Sequence, residues 1–505
     1  MSKKGKVYLI GAGPGDPGLL TIKGKECLEK ADVVVYDYLV NPKLLEYAKE
    51  GAEIIYAGKR KGNTELPQEV INRLLINKAK EGKTVARLKG GDPFIFGRGG
   101  EEAEALFEYG ILFEIVAGVT SASAVPAYAG IPLTHRDFTS SFAVVTGHEN
   151  PAKEKSALPW EALAKIGTLV FLMGVTRIEE NMKKLIEHGK PPDTPAAFIA
   201  WGTLTKQRTV TGTISEIGKI VKESNLNRLP AIVVVGEVVK LREILNWFEI
   251  KPLFGKKVLV TRTRKQASTL VKLLEEEGAE TVEFPTIEIV PPGSWDEMDK
   301  AIENLGLYNW IIFTSVNGVE FFFDRLKVKN KGIVEFKGVK IATIGEQTGR
   351  AVENLGLSVD IIPYEFMAEG VVESFRGIDI KGKRILIPRA KEAREILPVE
   401  LQKMGAEVNV VTAYKTEKPN PEKVEEIKGI LRRGEIDVLT FASSSTVKNF
   451  LSIFGKDKEL LLKSTVACIG PITAEPLREI GIEPQIIPKK YTIEELVREI
   501  VDYFR

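Results

Sequence analysis

Short apolar runs set the rhythm of this chain. Val7–Ile10, Val33–Tyr36, Glu53–Tyr56 and Thr84–Leu88 each run into a glycine or an aspartate within two residues. Val7–Ile10 and Val33–Tyr36 alternate too little for exposed strands and predict buried ones, and Glu53–Tyr56 and Thr84–Leu88 predict strands as well. Between them, Ile22–Lys30 and Pro67–Lys80 carry apolar positions at helical spacing. Gly99–Gly100 open a further helix with Glu101 and Glu102 in its first turn, where acids complement the helix dipole. The same beat continues through Phe142–Thr146, Leu169–Met173, Ala196–Trp201 and Ala231–Val235, with a helix at Arg177–His188. From Lys257–Thr261 onward strand and helix alternate again, the pattern of parallel sheets covered by helices. The predicted class is α/β throughout.

The second half also repeats itself. KVLVTRTRKQASTLVKLLEEEGAETVEF parallels RILIPRAKEAREILPVELQKMGAEVNVV, WIIFTSVNGVEFFF parallels VLTFASSSTVKNFL, and KIATIGEQTGRAVENLGLSVDIIP parallels TVACIGPITAEPLREIGIEPQIIP. Arg262 thereby matches Arg389, Phe313 matches Phe441 and Gly345 matches Gly470. A unit of about 125 residues is too long for a solenoid and fits two similar α/β domains. The junction Pro252–Gly255 separates a first half, about 1–250, from a second, about 251–505.

Composition narrows the function classes. A chain of 505 residues suggests roughly three to four domains. A net charge of +2 argues against a dominant nucleic-acid surface. Cys27 and Cys468 are the only cysteines and His135, His148 and His188 the only histidines, so neither a disulfide framework nor a metal site is expected. The apolar run after Lys3, Lys4 and Lys6 is too short for a signal peptide, and none approaches a membrane span. The expectation is a soluble cytoplasmic protein.

The glycine-rich loops carry the first candidate chemistry. A dinucleotide fingerprint needs G-x-G-x-x-G running into a helix. In Gly11–Gly18, GAGPGDPG, Asp16 takes the third glycine's place, and Pro14 and Pro17 lack the N–H donors a pyrophosphate uses. The loop suits a neutral or cationic ligand, or is a tight turn with none. Gly90, Gly91, Asp92 and Pro93 make a second loop of this kind, and Gly82-Lys83-Thr84 lacks the Walker glycine. Thr120 or Ser121 caps the small-residue helix of GVTSASAVPAY. Asp37 sits where NAD enzymes keep a ribose-binding acid, or caps a turn. Lys59, Arg60 and Lys61 face a ligand crevice or are solvated surface. In the second half Thr314 and Ser315 match Ala442 and Ser443, and Thr348 matches Thr473. Hydroxyls at such strand-to-helix junctions lie where ligands gather in open α/β sheets, and free N–H groups there favour anions. Each also reads as a plain helix cap.

GAGPGDPGLLT, VVYD, GKR, GGDPFIFGRGGEE, GVTSA and PLTHRD occur in that order, and through them about Lys6 to Phe248 resembles uroporphyrinogen-III C-methyltransferases. The resemblance implies a tetrapyrrole methylase fold with lobes near 1–136 and 137–250, usually a homodimer, with S-adenosylmethionine in the cleft between the lobes. By resemblance Pro14, Gly90, Gly91, Asp92, Ile95, Thr120 and Ser121 line that cofactor, and Met173 and Gly202 complete the adenosine site. Without the resemblance Met173 reads as a core residue. Asp37 and Lys59 take the roles of proton acceptor and donor, while Lys59, Arg60 and Arg136 meet the carboxylates of the macrocycle.

VLVTR, FTSVNGVEFF, the TIG segment, AYKT and LTFASSSTV resemble uroporphyrinogen-III synthases. That implies two flavodoxin-like lobes, about 257–285 with 417–505 and about 286–416, and a linear hydroxymethylbilane between them. Tyr414 matches a tyrosine proposed to assist hydroxyl loss, or is a hinge residue. Thr314, Ser315, Thr348, Ser443, Ser444 and Thr473, with Arg262 and Arg389, are the candidate substrate ligands. The expected protein is bifunctional, making uroporphyrinogen III and methylating it. The alternatives are a methylase of a later corrin intermediate, an NAD enzyme in the first half, or a non-catalytic binder in the second.

Overall fold

The computed structural model describes residues 5–58, 67–147, 157–262, 264–364, 367–455 and 458–505. The expectations placed on Lys59 and Arg60 lie outside these residues. The chain forms two compact units, one mainly from residues up to 258 and the other mainly from 259 onward.

In the first unit β1 (Lys6–Gly11), β2 (Val33–Tyr36), β3 (Glu53–Tyr56), β4 (Thr84–Lys89) and β5 (Leu112–Val116) form a parallel sheet in the order β3-β2-β4-β1-β5. Successive side chains leave on opposite faces. Val7, Leu9, Val33, Val35 and Val85 pack against Leu75 and Leu106 of flanking helices, while Ile10, Val34, Ala86 and Leu88 pack against Cys27 and Leu28. β1, β2 and β4 are buried on both faces, which is why those runs lack polar alternation, whereas the edge strand β3 leaves Glu53 and Ile54 exposed.

A second sheet holds β6 (Phe142–Thr146), β7 (Thr168–Leu172), β8 (Pro195–Ala200), β9 (Arg208–Thr213) and β10 (Ala231–Val235), in the order β6-β7-β10-β8-β9. β6 and β7 are parallel, and the other neighbours are antiparallel. β7 and β8 each end one residue before the expected point, because Met173 and Trp201 turn left-handed at φ 56° and 50°. β9 went unpredicted, since its residues RTVTGT are half-buried or exposed and form no apolar run. The helix Ser121–Tyr128, which follows β5, packs Ala122 and Val125 against Val170, Ala197, Ile199 and Val234 of this sheet. It therefore couples the ends of the first sheet's strands to the second sheet.

In the second unit β11 (Lys257–Val260), β12 (Glu280–Glu283), β18 (Val438–Phe441) and β19 (Thr465–Cys468) form a sheet in the order β12-β11-β18-β19. The other sheet is β13-β17-β16-β14-β15, from β13 (Glu288–Val290), β14 (Trp310–Phe313), β15 (Lys340–Thr343), β16 (Arg384–Ala390) and β17 (Glu407–Glu417). Each sheet thus mixes strands of both sequence copies. Phe313, Phe322, Phe323 and Phe336 centre one core, and Phe284, Phe441, Phe450 and Phe454 the other. The repeat extends to single bonds. Ile344 N–H donates to Phe313 O as Ile469 N–H does to Phe441 O, and Thr343 N–H to Ile361 O as Cys468 N–H does to Ile486 O. Among the described residues no helix is long and apolar enough to cross a membrane.

Candidate active sites

β1, β4 and β5 end side by side, and their following loops meet at glycines. Gly13 N–H donates to Gly91 O at 3.2 Å and Gly91 N–H to Gly13 O at 2.8 Å. A Cβ on Gly118 would stand 2.3 Å from Gly91 O and 2.5 Å from Gly11 Cα, a separation only glycine permits. Gly91 is constrained differently. Its φ is +70°, but a Cβ there would find room, with Ser121 N at 3.8 Å and Thr120 Cα at 3.9 Å. Pro14, Gly90, Gly91, Thr120 and Ser121 are therefore gathered at one junction. Thr120 is the cap of Ser121–Tyr128, its Oγ1 accepting from Ala122 N–H at 3.3 Å. Gly202 meets the same helix, where a Cβ would fall 2.2 Å from Val125 Cγ1.

The two loop acids are not free charges. Asp16 accepts from Gly18 N–H at 2.7 Å and from the Tyr128 hydroxyl at 2.6 Å, and its own N–H donates to Thr203 Oγ1 at 3.0 Å. Burial and that carboxylate push the Tyr128 phenol up, so it stays a donor. Asp92 accepts from Phe94 N–H at 2.8 Å and from Gly118 N–H at 2.9 Å. Both carboxylates accept backbone N–H donors and so help to fix the loops. Phosphate-binding features are lacking, since Gly11–Gly18 contains no lysine or arginine and two prolines.

Among the described residues seven non-glycines have positive φ, and five of them, Phe96, Arg98, Met173, Trp201 and Thr203, follow β4, β7 and β8. Such backbone costs on the order of 1 kcal/mol or more per residue and collects where loops are held for a ligand. Met173 is 53% exposed and Ile95 42%, so Met173 is no core residue.

Asp37, at the end of β2, is half-buried and pairs with Arg87 Nη2 of β4 at 2.6 Å. Arg87 Nε donates to Glu102 Oε1 at 3.1 Å, which also accepts from Lys89 Nζ at 2.7 Å and Gln68 Nε2 at 3.1 Å. Arg87, Lys89 and Glu102 are all buried, and Arg87 Nη1 and Glu102 Oε2 have no partner among the described residues. Burial and the neighbouring Arg87 push the Lys89 ammonium down. Burial opposes the Arg87 cation as well, but Glu102 and Asp37 outweigh it and hold its pKa above the usual value. Glu102 is therefore an interior anchor and not the surface dipole complement its sequence position suggested. A signal for the cluster existed: Arg87 and Lys89 stand two apart in a strand, on one face, amid buried residues. Arg136 lies exposed in the turn between His135 and Thr139.

In the second unit a cavity of about 310 Å³ is lined by Thr314, Met367, Arg389, Arg394, Leu397 and Tyr414. The Tyr414 hydroxyl lies 3.0 Å from Ser315 Oγ, and its ring stacks on Phe321 with centroids 5.8 Å apart. Ser315 also caps Val316–Val328, accepting from Gly318 N–H at 3.0 Å. A register shift at Arg389/Ala390 sets Ala390 opposite Tyr414. Four expected residues thus share this site. Arg389 is committed within it, donating to Arg394 O at 2.6 Å and pairing with Glu395. Ser443 caps Ser444–Phe454 in a capping box with Thr446, and Ser444 begins that helix. Thr348 and Thr473 occupy the third position of Glu346–Glu353 and Pro471–Arg478 and are 5% exposed. Burial leaves neither as an open rim hydroxyl, which corrects the expectation for these two.

Residues 6–218 match the family of Tetrapyrrole (Corrin/Porphyrin) Methylases, and residues 268–498 match Uroporphyrinogen-III synthase HemD. A porphyrin biosynthesis protein HemD of Ruminiclostridium josui is 40% identical over 504 residues, 99% of this chain and 98% of that protein. The chain belongs to this family, a tetrapyrrole methylase joined to a uroporphyrinogen-III synthase. A uroporphyrinogen-III C-methyltransferase of Bacillus subtilis (strain 168) is 42% identical over 75% of this chain and 77% of its own length. One from Priestia megaterium is 56% identical over 46% of this chain and 98% of its own length. The glycine junction and the Asp37–Arg87 cluster belong to the methylase half, and the Tyr414 cavity to the synthase half.

Proposed function

We propose that the synthase half closes hydroxymethylbilane to uroporphyrinogen III with ring D inverted, and that the methylase half methylates this product twice, through precorrin-1 to precorrin-2. Residues 1–250 and 251–505 are assigned to the two activities, acting in the cytoplasm as a homodimer through the methylase half and feeding sirohaem and cobalamin synthesis. The observation that carries the reading is that both families lie on one chain, in a relative matched end to end.

S-adenosylmethionine, when bound, supplies a methyl group on a cationic sulfur. The chain's residues fit such a donor: Gly91 packs against Thr120 and Ser121 without a clash, and Gly11–Gly18 contains no phosphate-binding side chain. Ile95 and Met173 are exposed and offer apolar surface to a nucleoside, and Gly202, packed against Val125, is assigned to the same site. Methylation of a pyrrole carbon leaves a cationic ring that must lose a proton, and Asp37, oriented by Arg87, is the group assigned to take it. Lys59, Arg60 and Arg136 are assigned to the carboxylate fringe. In the synthase half catalysis is chiefly steering, so a shaped cavity with Tyr414 and Ser315 suffices without paired acids or histidine.

The whole chain, incubated with hydroxymethylbilane and S-adenosylmethionine, is expected to give a product that carries two added methyl groups, each replacing a lost proton, and so is heavier than uroporphyrinogen III by two CH2 units. Formation of the type I isomer alone, or of no methylated product, would refute the reading. Asp37→Asn is expected to depress methylation at least a hundredfold, the usual worth of a proton-transfer group, with S-adenosylmethionine affinity nearly intact. Affinity falling in step with turnover would move Asp37 to the cofactor site. Tyr414→Phe removes only the hydroxyl that meets Ser315 and is expected to slow ring closure and raise the share of type I isomer. Unchanged turnover and isomer ratio would leave Tyr414 a packing residue.

A further inference from the structure

The repeat gives each copy an arginine at the same point. Arg262 directly follows the end of β11 by two residues, and Arg389 lies at the end of β16. Their surroundings differ. Arg389 is buried, with one nitrogen donating to Arg394 O at 2.6 Å and another pairing with the Glu395 carboxylate. Counted from Arg262, the position equivalent to Glu395 holds Ser268, so the acid is missing from the other copy.

Arg262 is half-buried, and among the described residues no carboxylate or carbonyl is bonded to it. Burial alone pushes its guanidinium below the usual value, with no acid to counter the effect. Its backbone is fixed in place. Thr261 Oγ1 donates to Thr440 O at 2.7 Å, Thr440 Oγ1 donates to Leu259 O at 3.0 Å, and Phe284 N–H donates to Val260 O at 2.9 Å. These bonds lock the end of β11 to the end of β18, from which the chain enters Ser443 and the helix Ser444–Phe454. The backbone that carries Arg262 is thus held at a strand end of the sheet, where ligands gather in open α/β folds. Holding a guanidinium partly out of water with no counter-charge is unfavourable, and an incoming carboxylate removes that penalty.

We propose that Arg262 binds a carboxylate side chain of the linear tetrapyrrole, whereas its counterpart Arg389 braces the turn carrying Arg394 and Glu395. The two copies then grip the substrate unequally, by charge on one side and by the Tyr414 cavity on the other. Such asymmetry suits a reaction in which one terminal ring alone is inverted. The inference rests on the synthase reading of this half.

Steady-state conversion of hydroxymethylbilane by the full chain tests it. Arg262→Gln is expected to raise KM at least about tenfold, with a smaller change in kcat and no fall in melting temperature, and Arg262→Lys to recover part of the loss. Arg389→Gln is expected to lower the melting temperature instead. An unchanged KM in Arg262→Gln overturns the proposal, and so does an Arg262→Gln chain that fails to fold, since Arg262 would then be structural. Failure of the synthase reading looks different, because the wild-type chain would yield no type III isomer at all.

Discussion

Replacing Glu102 by glutamine is expected to lower the melting temperature of the methylase half by on the order of 10 °C. Among the described residues Glu102 is the one fully buried acid bonded to the buried cations Arg87 and Lys89, while Asp37 is half-buried and pairs with Arg87. Removing one partner from a buried ionic cluster costs about 3–5 kcal/mol, because the remaining charge stays out of water. In a domain of this size each kcal/mol moves the midpoint by about 2–4 °C. The loss should also depend on pH. Burial and Arg87 already hold the folded-state Lys89 ammonium below the usual lysine value of 10.5, and removing the Glu102 charge depresses it further. The unfolded chain then binds more protons than the folded one between the depressed value and 10.5, so stability rises with pH across that window. Thermal melts of the full chain from neutral to alkaline pH, followed by circular dichroism, should show Glu102→Gln approaching wild type as pH rises. A variant that melts within 2 °C of wild type at neutral pH, roughly the shift expected for a surface change of well under 1 kcal/mol, would mean that the cluster is already neutral.

Strands such as β2 were legible because burial on both faces writes itself as an unbroken apolar run, as in Val33–Tyr36. β5 and β9 were not, because Leu112–Val116 and Arg208–Thr213 are mostly half-buried or exposed and form no fully buried run. The glycine loops were legible as loops, but the chemistry of their acids was not. A carboxylate in a turn looks the same in sequence whether it meets a ligand or a backbone N–H, and Asp92 finds Gly118 N–H 26 residues away. Distance along the chain hid the Tyr414–Ser315 contact in the same way, across 99 residues. The Arg87–Glu102–Lys89 cluster was hidden by habit more than by distance. Charged residues at a helix start are read as surface, although Arg87 and Lys89 in β4 share the face of that strand which the helix Gly99–Glu108 covers.

Gly118→Ala is expected to abolish methylation while leaving the conversion of hydroxymethylbilane untouched. The added methyl would lie 2.3 Å from Gly91 O and 2.5 Å from Gly11 Cα, and both are backbone atoms that no rotamer change can move aside. Relief requires the loops after β1 and β4 to separate from the loop after β5, which carries Gly91 away from Thr120. Overpacking of this kind costs about 1–3 kcal/mol in stability. A displacement near 1 Å at a reacting site costs roughly a hundredfold in rate. Gly91→Ala should be milder despite the positive φ, since its methyl meets nothing closer than 3.8 Å and the strain is about 1–2 kcal/mol. It should weaken S-adenosylmethionine binding by intruding on the space beside Thr120 and Ser121. Titration calorimetry with S-adenosylmethionine and the two activity assays, run on both variants, order the effects. If Gly118→Ala methylates at the wild-type rate, or if Gly91→Ala is the more damaging of the two, then the loops are not held by this contact and the donor does not sit against it.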